Sequence, residues 1–228
     1  IVIDDASTDK SLDIIRSYQD PRIKVITNKK NYGIARCRNL GINNSKGEYI
    51  WFIDGDDFIE SNSLDIISNY LFKYDIIVFN YKRNKKCNTF YNYDDISTKY
   101  LLSHCVVWNK VIKKSLFKNN YFQENMVYED LYLIPTLILK TNKIIFIDAY
   151  LYNYIYRFNS LKNTSNNIKD RILSVNNLYD KLNNKYKDET EYLYIYNLLI
   201  TSLIEEVINN YKYDLKYINK IVKNKHKK

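Results

Sequence analysis

Glycine, proline and methionine are scarce in this sequence. The 228 residues include 4 Gly, 2 Pro and 1 Met, whereas Lys, Asn, Ile and Tyr are abundant. This bias fits an AT-rich genome, and the lysines are mostly spread out, so the formal net charge of +9 does not by itself indicate a nucleic-acid partner. We expect no nucleic acid among its partners, although the basic residues at 220–228 could rest on acidic lipids.

Cysteine, histidine and long apolar runs are scarce as well. The scattered Cys37, Cys87 and Cys105 exclude a disulfide framework and a zinc site. His104 and His226 have no neighbours that suggest a catalytic triad. No apolar run reaches the ~20 residues that a membrane-spanning helix needs. A hydrophobic fraction of 46% is nevertheless enough for a full core, so a globular fold is expected.

The order of the apolar segments indicates an α/β fold. Apolar runs of strand length lie at residues 1–3, 23–27, 48–53 and 75–80. Apolar residues at helical spacing fall between these runs. Strands that alternate with helices favour a largely parallel sheet with right-handed connections. Ser7 or Thr8 is expected to cap the first helix and Ser61 the third, and the second is expected at 34–45.

The second half of the chain is less regular. Residues 81–100 are polar and rich in tyrosine, as in a hairpin or a sheet edge. Residues 129–140 have helical spacing, and residues 143–157 are typical of extended chain. Helical spacing then continues to the end. We therefore expect an α/β domain at 1–162 and a C-terminal helical region at 163–228.

An apolar segment that ends in acids is the most informative feature. Residues 49–53 predict a buried strand, and Asp54, Gly55, Asp56 and Asp57 follow it. Carboxylates there need water, a cation or a hydrogen-bonding ligand. Hard oxygen ligands suit Mg²⁺ or Mn²⁺, which substrate phosphates often complete, and ligands bind at the carboxyl ends of strands in open α/β sheets. The pattern predicts a metal–phosphate site, with an acidic turn as the alternative. The glycine would permit close backbone approach or unusual dihedral angles.

Two earlier segments place polar groups at similar positions. Asp4 and Asp5 end the first strand, where a carboxylate can accept hydrogen bonds from a ribose or a base edge, although helix capping alone explains such acids. Gly33 begins a turn into a helix that carries Arg36 and Arg38. These arginines lie two positions apart and do not share a helix face. One can therefore face a site while the other faces solvent.

Two later segments are ambiguous when taken alone. Glu129 and Asp130 open a helix, where acids interact favourably with the helix dipole. The functional interpretation makes Asp130 a general base that takes a proton from an attacking hydroxyl. Trp108, Asn109 and Lys110 are consistent with a stacking and cation contact to a substrate, or with a core aromatic beside a surface lysine.

Taken in order, these segments resemble the inverting family 2 glycosyltransferases, which have the GT-A fold. The resemblance is carried by residues 1–9 (VDDGSTD in the family, with Ala6 in place of Gly), 31–41 (N-x-G-x-x-x-A-R-N-x-G, with Cys37 in place of a small residue), 46–57 (G-x-Y-I-x-F-L-D-x-D-D), 108–110 (W-x-K), 129–130 (E-D) and 156–161 (Y-R…S-I). It covers roughly residues 1–165. It implies a nucleotide-diphospho-sugar transferase with a Rossmann-like mixed sheet and a C-terminal helical region.

The resemblance implies where the donor binds. Asp4 and Asp5 would lie near the base or ribose of the nucleotide. Arg38 would support the nucleotide half of the site, and Asp54 would face the ribose. The donor would be a nucleotide sugar, UDP-linked, and the acceptor a glycan or a lipid-linked molecule.

The resemblance also implies how the reaction proceeds. Asp56, with Asp57, would coordinate Mn²⁺ or Mg²⁺ on the diphosphate. Asp130 would deprotonate the acceptor hydroxyl, so that the anomeric configuration inverts. Lys110 and Arg157 would help to neutralise the diphosphate leaving group.

The chain departs from the family at its start, because the opening strand and first helix of the family are not matched. The residues leave three alternatives to an active transferase: a haloacid-dehalogenase-like Mg²⁺-dependent phosphatase, an inactive truncated transferase, or a basic binding module. Phe58, Ile59 and Glu60 after the acids count against the phosphatase. The expected location is cytoplasmic, with a peripheral contact at the inner face of the cell membrane.

Overall fold

The computed structural model describes residues 1–84, 86–88, 105–126, 128–156, 168–186 and 200. The strands in this part of the chain are β1 (Val2–Asp4), β2 (Val25–Thr27), β3 (Tyr49–Trp51), β4 (Phe58–Ile59), β5 (Ile76–Arg83), β6 (Lys86–Asn88), β7 (Lys110–Lys113) and β8 (Ile144–Tyr154). The α-helices are α1 (Ser11–Ser17), α2 (Ile34–Asn44), α3 (Ser63–Ser68), α4 (Glu129–Ile138) and α5 (Ile168–Tyr186). The alternation of strand and helix predicted for the first 80 residues is confirmed.

The strands of the described residues form two sheets. β1 and β2 pair in parallel, with Val2 opposite Val25. The larger sheet has the order β3-β7-β5-β8-β4, and β6 pairs with β5. Its neighbours are antiparallel except for β5 and β8. The mixed sheet is thus confirmed, but a largely parallel sheet was wrong, because the unpredicted β7 inserts antiparallel between β3 and β5.

The core lies on both faces of β5, whose side chains alternate across the sheet. Ile76 and Val78 join an apolar cluster that includes Ala35 of α2, Leu133 of α4 and Leu178 of α5. Ile77 and Phe79 join a second cluster that includes Ile67 of α3, Trp108 and Tyr152. Among the described helices, α2, α4 and α5 therefore cover one face of the sheet, and α3 covers part of the other.

Helix boundaries differ from the prediction mainly at their starts. α2 confirms the predicted helix at 34–45 to within one residue. Ser7 and Thr8 do not cap α1, which begins at Ser11; the Ser11 amide instead donates a hydrogen bond to Asp9 Oδ1 at 2.9 Å. Ser61 does not cap α3, which begins after Asn62 without a side-chain cap. Local sequence located these helices but did not fix their first residues.

The less regular second half is only partly described. β5 and β6 form the hairpin expected after residue 81, with Tyr81 opposite Asn88. α5 lies in the predicted helical region, whereas the rest of that region, including the basic residues at 220–228, is outside the described residues apart from residue 200. Among the helices that the structure describes, none is long and apolar enough to cross a membrane.

Ala6 occupies a strained position directly after β1, because its φ of 60° lies in the left-handed region. That region costs an L-residue about 1–2 kcal/mol, whereas glycine adopts it freely at an entropic cost of about 0.5–1 kcal/mol. Ala6→Gly is therefore expected to raise the free energy of unfolding by about 0.5–1 kcal/mol in urea denaturation.

The matched control for this change is Ala35→Gly. Ala35 is buried within α2, where glycine costs about 1 kcal/mol relative to alanine, so this variant should be destabilised. If Ala6→Gly unfolds more easily than the wild type, the left-handed backbone at residue 6 does not limit the stability of the protein.

Candidate active site

The acidic residues after β3 form a tight turn. The Asp57 amide donates a hydrogen bond to the Asp54 carbonyl oxygen at 3.1 Å, which closes the turn between β3 and β4. β4 then pairs with β8. The acids thus lie at the carboxyl end of a strand, as predicted, with Asp56 exposed and the carboxylates of Asp54 and Asp57 partly buried.

A cleft of about 530 Å³ opens beside this turn, between β1, α2 and β3. Arg38, Asp54, Gly55 and Asp56 line its polar part. Its apolar part is lined by Ile1, Ile3, Ile34, Ile50 and Phe52. A volume of this size suits a small organic ligand, and a few converging polar groups beside apolar walls are typical of such sites.

Gly55 does not have the unusual backbone that the sequence suggested. Among the described glycines, only Gly33 has a positive φ. A Cβ added at Gly55 would meet nothing within 4 Å. The residue therefore contributes open space at the edge of the cleft, which leaves room for a ligand to approach the turn.

Arg38 connects the acidic turn to the start of α4. Its Nη2 lies 2.9 Å from Asp54 Oδ1, and its Nη1 donates a hydrogen bond to Glu129 Oε1. The side chains of Arg38 and Glu129 are 8% and 7% exposed, so this ion pair is almost completely shielded from solvent. The pKa of Arg38 is raised, because the charges of Asp54, Glu129 and Asp130 outweigh the effect of burial. The segments that carry the turn and the expected base are thus held together by one guanidinium.

The two acids that open α4 are perturbed by their surroundings. Burial raises the pKa of Glu129 to about 7, even though Arg38 works in the opposite direction. Burial also raises the pKa of Asp130, and the charge of Asp54 acts in the same direction while Arg38 and Lys110 oppose it. A carboxyl whose pKa is moved towards neutrality suits a general base near neutral pH.

Lys110 lies in the interior instead of at a surface contact. It is fully buried at the start of β7, and its Nζ donates hydrogen bonds to the Val106 carbonyl oxygen and to Asn109 Oδ1, both at 2.8 Å. Burial lowers its pKa to about 8. It does not line the cleft, and the structure connects it to the site through its charge near Asp130.

Asp5 holds the turn that starts α2. Its carboxylate accepts hydrogen bonds from the amides of Tyr32 and Gly33, at 2.9 Å and 2.7 Å, and from Asn28 Nδ2 at 2.7 Å. Burial alone would raise its pKa, but these donors keep the pKa of Asp5 below its ordinary value. Asp4 is buried and accepts longer bonds of 3.4 Å from the Ser7 amide. Both acids therefore have structural partners beside the cleft.

Asp57 forms hydrogen bonds with β8 and with the residue that follows this strand. Its Oδ2 accepts a hydrogen bond from the Tyr152 hydroxyl at 2.7 Å, and its Oδ1 accepts one from the Ile155 amide at 2.7 Å. The same hydroxyl accepts a bond from the Asp54 amide at 3.1 Å. Burial raises the pKa of Asp57, although these two donors oppose the effect. Both carboxylate oxygens of Asp57 are thus held by hydrogen bonds, whereas Asp56 lines the cleft.

Three of the nine proposed site residues line the cleft, whereas Asp4, Asp5, Asp57, Lys110 and Asp130 are not among its lining residues. Arg38, Asp54 and Asp56 share the cleft, and Asp130 lies next to the Glu129 that Arg38 contacts. The prediction that Arg36 and Arg38 face different surroundings is confirmed, because Arg36 is exposed and Arg38 is buried.

One proposed residue cannot be placed, and two residues with contacts at the site were not proposed from the sequence. Arg157 lies outside the described residues. The contacts of Glu129 with Arg38, and of Tyr152 with the acidic turn, were not foreseen. Glu129 could have been noticed as the first letter of the E-D motif, whereas nothing distinguishes Tyr152 among the 24 Tyr of the chain.

The donor set of the turn fits Mg²⁺ or Mn²⁺ bound together with a substrate. Among the described residues, no three Asp, Glu, His or Cys side chains converge as the ligands of a metal ion held by protein alone. Mg²⁺ is commonly bound by one or two carboxylates, with substrate phosphates and water completing its shell. The exposed Asp56 beside an open cleft is compatible with that arrangement.

The chain belongs to glycosyl transferase family 2, because the model of that family matches residues 1–134. The cholesterol galactosyltransferase of Borreliella burgdorferi is 29% identical over 210 residues, which cover 78% of this chain and 57% of that protein. WfgD of Escherichia coli, a UDP-Glc:alpha-D-GlcNAc-diphosphoundecaprenol beta-1,3-glucosyltransferase, is 27% identical over 185 residues, which cover 75% of this chain and 69% of that protein.

A solved structure shows the same fold. The structure of S. aureus TarS residues 1–349 in complex with UDP-GlcNAc has a TM-score of 0.76 and 21% identity, and the match covers 91% of this chain and 63% of TarS 1–349. The chain therefore has the GT-A fold of a glycosyl transferase family 2 member. It spans a little over half the length of the galactosyltransferase.

Proposed function

We propose that this glycosyltransferase transfers a sugar from a UDP-linked donor to a glycan or lipid-linked acceptor, with inversion at the anomeric carbon and with Mn²⁺ or Mg²⁺. The observation that carries the proposal is the Arg38 bridge, which joins Asp54 in the acidic turn to Glu129, the neighbour of Asp130. This bridge supports the proposal that donor-side and acceptor-side groups belong to one site.

The cleft is the proposed donor site. Its apolar part, with Ile3 and Ile34, suits the flat face of a base, and Asp54 at its polar part suits a ribose hydroxyl. Asp4, Asp5 and Arg38 would support this site through their partly buried hydrogen bonds. The UDP-GlcNAc bound by TarS and the UDP-Glc in the name of WfgD favour a uridine nucleotide.

Asp130 is the proposed general base. Its elevated pKa suits the removal of a proton from an acceptor hydroxyl, and one base is sufficient for a single displacement with inversion. Asp56, with Asp57, would hold the divalent ion, which when bound offsets the negative charge of the leaving diphosphate. Lys110 acts on Asp130 through its charge, and Arg157 remains a proposed contact of the diphosphate.

The acceptor is proposed from the relatives. The names of WfgD and of the cholesterol galactosyltransferase give lipid-type acceptors for those proteins, which supports a lipid-linked acceptor or a growing glycan here. The family match gives no support to the phosphatase alternative. A cytoplasmic location with peripheral membrane contact remains a prediction.

Metal removal tests this function. Turnover of UDP-sugars, measured as UDP release, is expected to stop in excess EDTA and to return when Mn²⁺ or Mg²⁺ is added, because Asp56, with Asp57, and the donor phosphates would share the ion. NMR of the product should show the anomeric configuration opposite to that of the donor.

Two outcomes would contradict the proposal. Turnover that persists in EDTA would exclude the metal, and retention of configuration would exclude a single displacement with Asp130 as base. An inactive binding module predicts a different result: no UDP release, with salt-sensitive binding to anionic vesicles that survives Asp56→Ala.

A further inference from the structure

Tyr152 contacts both ends of the acidic turn with one hydroxyl group. The hydroxyl oxygen accepts a hydrogen bond from the Asp54 amide at 3.1 Å, and the hydroxyl group donates a hydrogen bond to Asp57 Oδ2 at 2.7 Å. The other oxygen of Asp57 accepts from the Ile155 amide, three residues along from Tyr152. Residues 152–155 therefore hold Asp54 and Asp57, the two acids of the turn that flank Asp56.

The hydroxyl has a fixed position because its ring lies in the core. Tyr152 is 0% exposed, and its ring stacks on Trp108 with centroids 4.8 Å apart and an interplanar angle of 18°. The Trp108 carbonyl oxygen accepts a hydrogen bond from Trp51 Nε1 at 2.7 Å, which ties the stack to β3. The backbone of Tyr152 is paired with Ile59 of β4, just beyond the turn. Strands on both sides of the turn thus determine where the hydroxyl lies.

We propose that Tyr152 is a positioning residue that sets the acidic turn so that Asp56 projects into the cleft at the place where the divalent ion binds. This inference rests on the proposed function. Tyr152 itself touches neither substrate nor ion in this role; it acts through Asp57 and the Asp54 backbone. Partners that orient metal-binding carboxylates commonly change metal affinity by about 10–100-fold when they are removed.

Tyr152→Phe tests this role, because it removes the hydroxyl and keeps the ring. Without the hydroxyl, Asp57 Oδ2 and the Asp54 amide lose their common partner, and the turn can adopt other conformations. The Mn²⁺ concentration that gives half-maximal UDP release is expected to rise about 10–100-fold. At saturating Mn²⁺ most of the wild-type kcat should return.

Tyr154→Phe is the matched control. Tyr154 lies on the same strand and its ring also stacks on Trp108, with centroids 5.6 Å apart, but it is not among the residues that hold the turn. Its Mn²⁺ midpoint should equal that of the wild type. Melting curves of both variants separate a change in metal affinity from a general loss of stability, because a merely structural tyrosine would change Tm without moving the midpoint.

Hydrogen exchange on the wild-type chain gives a second test that needs no variant. The Asp54 amide, which donates to the buried hydroxyl, should exchange slowly. Rapid exchange of this amide, or an unchanged Mn²⁺ midpoint in a folded Tyr152→Phe variant, would overturn the positioning role. Wild-type turnover that needs no metal would overturn the proposed function instead, and the exchange of Asp54 would then decide whether Tyr152 holds the turn.

Discussion

Replacing Asp130 by asparagine is expected to lower the rate of sugar transfer by about 10²–10⁴-fold, the range that general bases contribute. Asparagine keeps the shape of the side chain but has no oxygen that can take up a proton at neutral pH. Asp130 does not line the cleft, so donor affinity should stay close to that of the wild type. Transfer to an acceptor and donor binding by calorimetry, measured on the same protein, would separate the two effects.

If Asp130 is only a first-turn acid that stabilises α4, a different result is expected. The helix dipole contributes about 0.3–1 kcal/mol for such an acid, so its loss would change stability and leave the rate intact. Asp65→Asn is the matched control, because Asp65 lies in the first turn of α3. Full transfer activity of Asp130→Asn would assign the base to another residue.

Replacing Asp56 by alanine is expected to abolish the metal-dependent part of turnover. Asp56 is the exposed acid of the turn and lines the cleft, whereas Asp57 is already fastened by the Tyr152 hydroxyl and the Ile155 amide. Loss of one electrostatic contact to developing charge commonly costs about 10²–10³-fold in kcat. The loss should appear as UDP release that no longer responds to Mn²⁺ in a titration.

An exposed acid that is not among the lining residues of the cleft provides the control. Asp13 in the first turn of α1 is exposed, and Asp13→Ala should retain the wild-type response to Mn²⁺. If Asp56→Ala keeps a normal Mn²⁺ midpoint, the ion is held elsewhere and the assignment of the turn as a metal site is wrong.

Features that depend on neighbouring residues were predicted well from the sequence. The acids after β3 and the helix after Gly33 follow local patterns, and the structure has both where they were expected. α4 begins at Glu129, as the pattern at 129–140 indicated, and Asp130 is its second residue. Strand ends and glycine turns are specified by a few adjacent side chains, so one sequence is enough to find them.

Features that depend on distant residues could not be predicted in this way. Arg38 and Glu129 are 91 residues apart, and nothing in either segment shows that they form a pair. β7 is antiparallel to both of its neighbours, β3 and β5. The hydrophobic periodicity of a segment does not specify the direction in which the strand pairs. Lys110 was expected either to contact the substrate or to be a surface lysine, but it is buried, and its Nζ donates hydrogen bonds to the Val106 carbonyl oxygen and to Asn109 Oδ1.

The Arg38 bridge restricts how this site can diverge among related sequences. One guanidinium contacts two carboxylates, and its pair with Glu129 is almost completely shielded from water, so a neutral residue in place of Arg38 would leave both acids without their cation. A neutral substitution at Arg38 is therefore tolerated only together with changes at Asp54 and Glu129, and the three positions should covary during evolution. A designer who wishes to alter the donor cleft should exchange all three together.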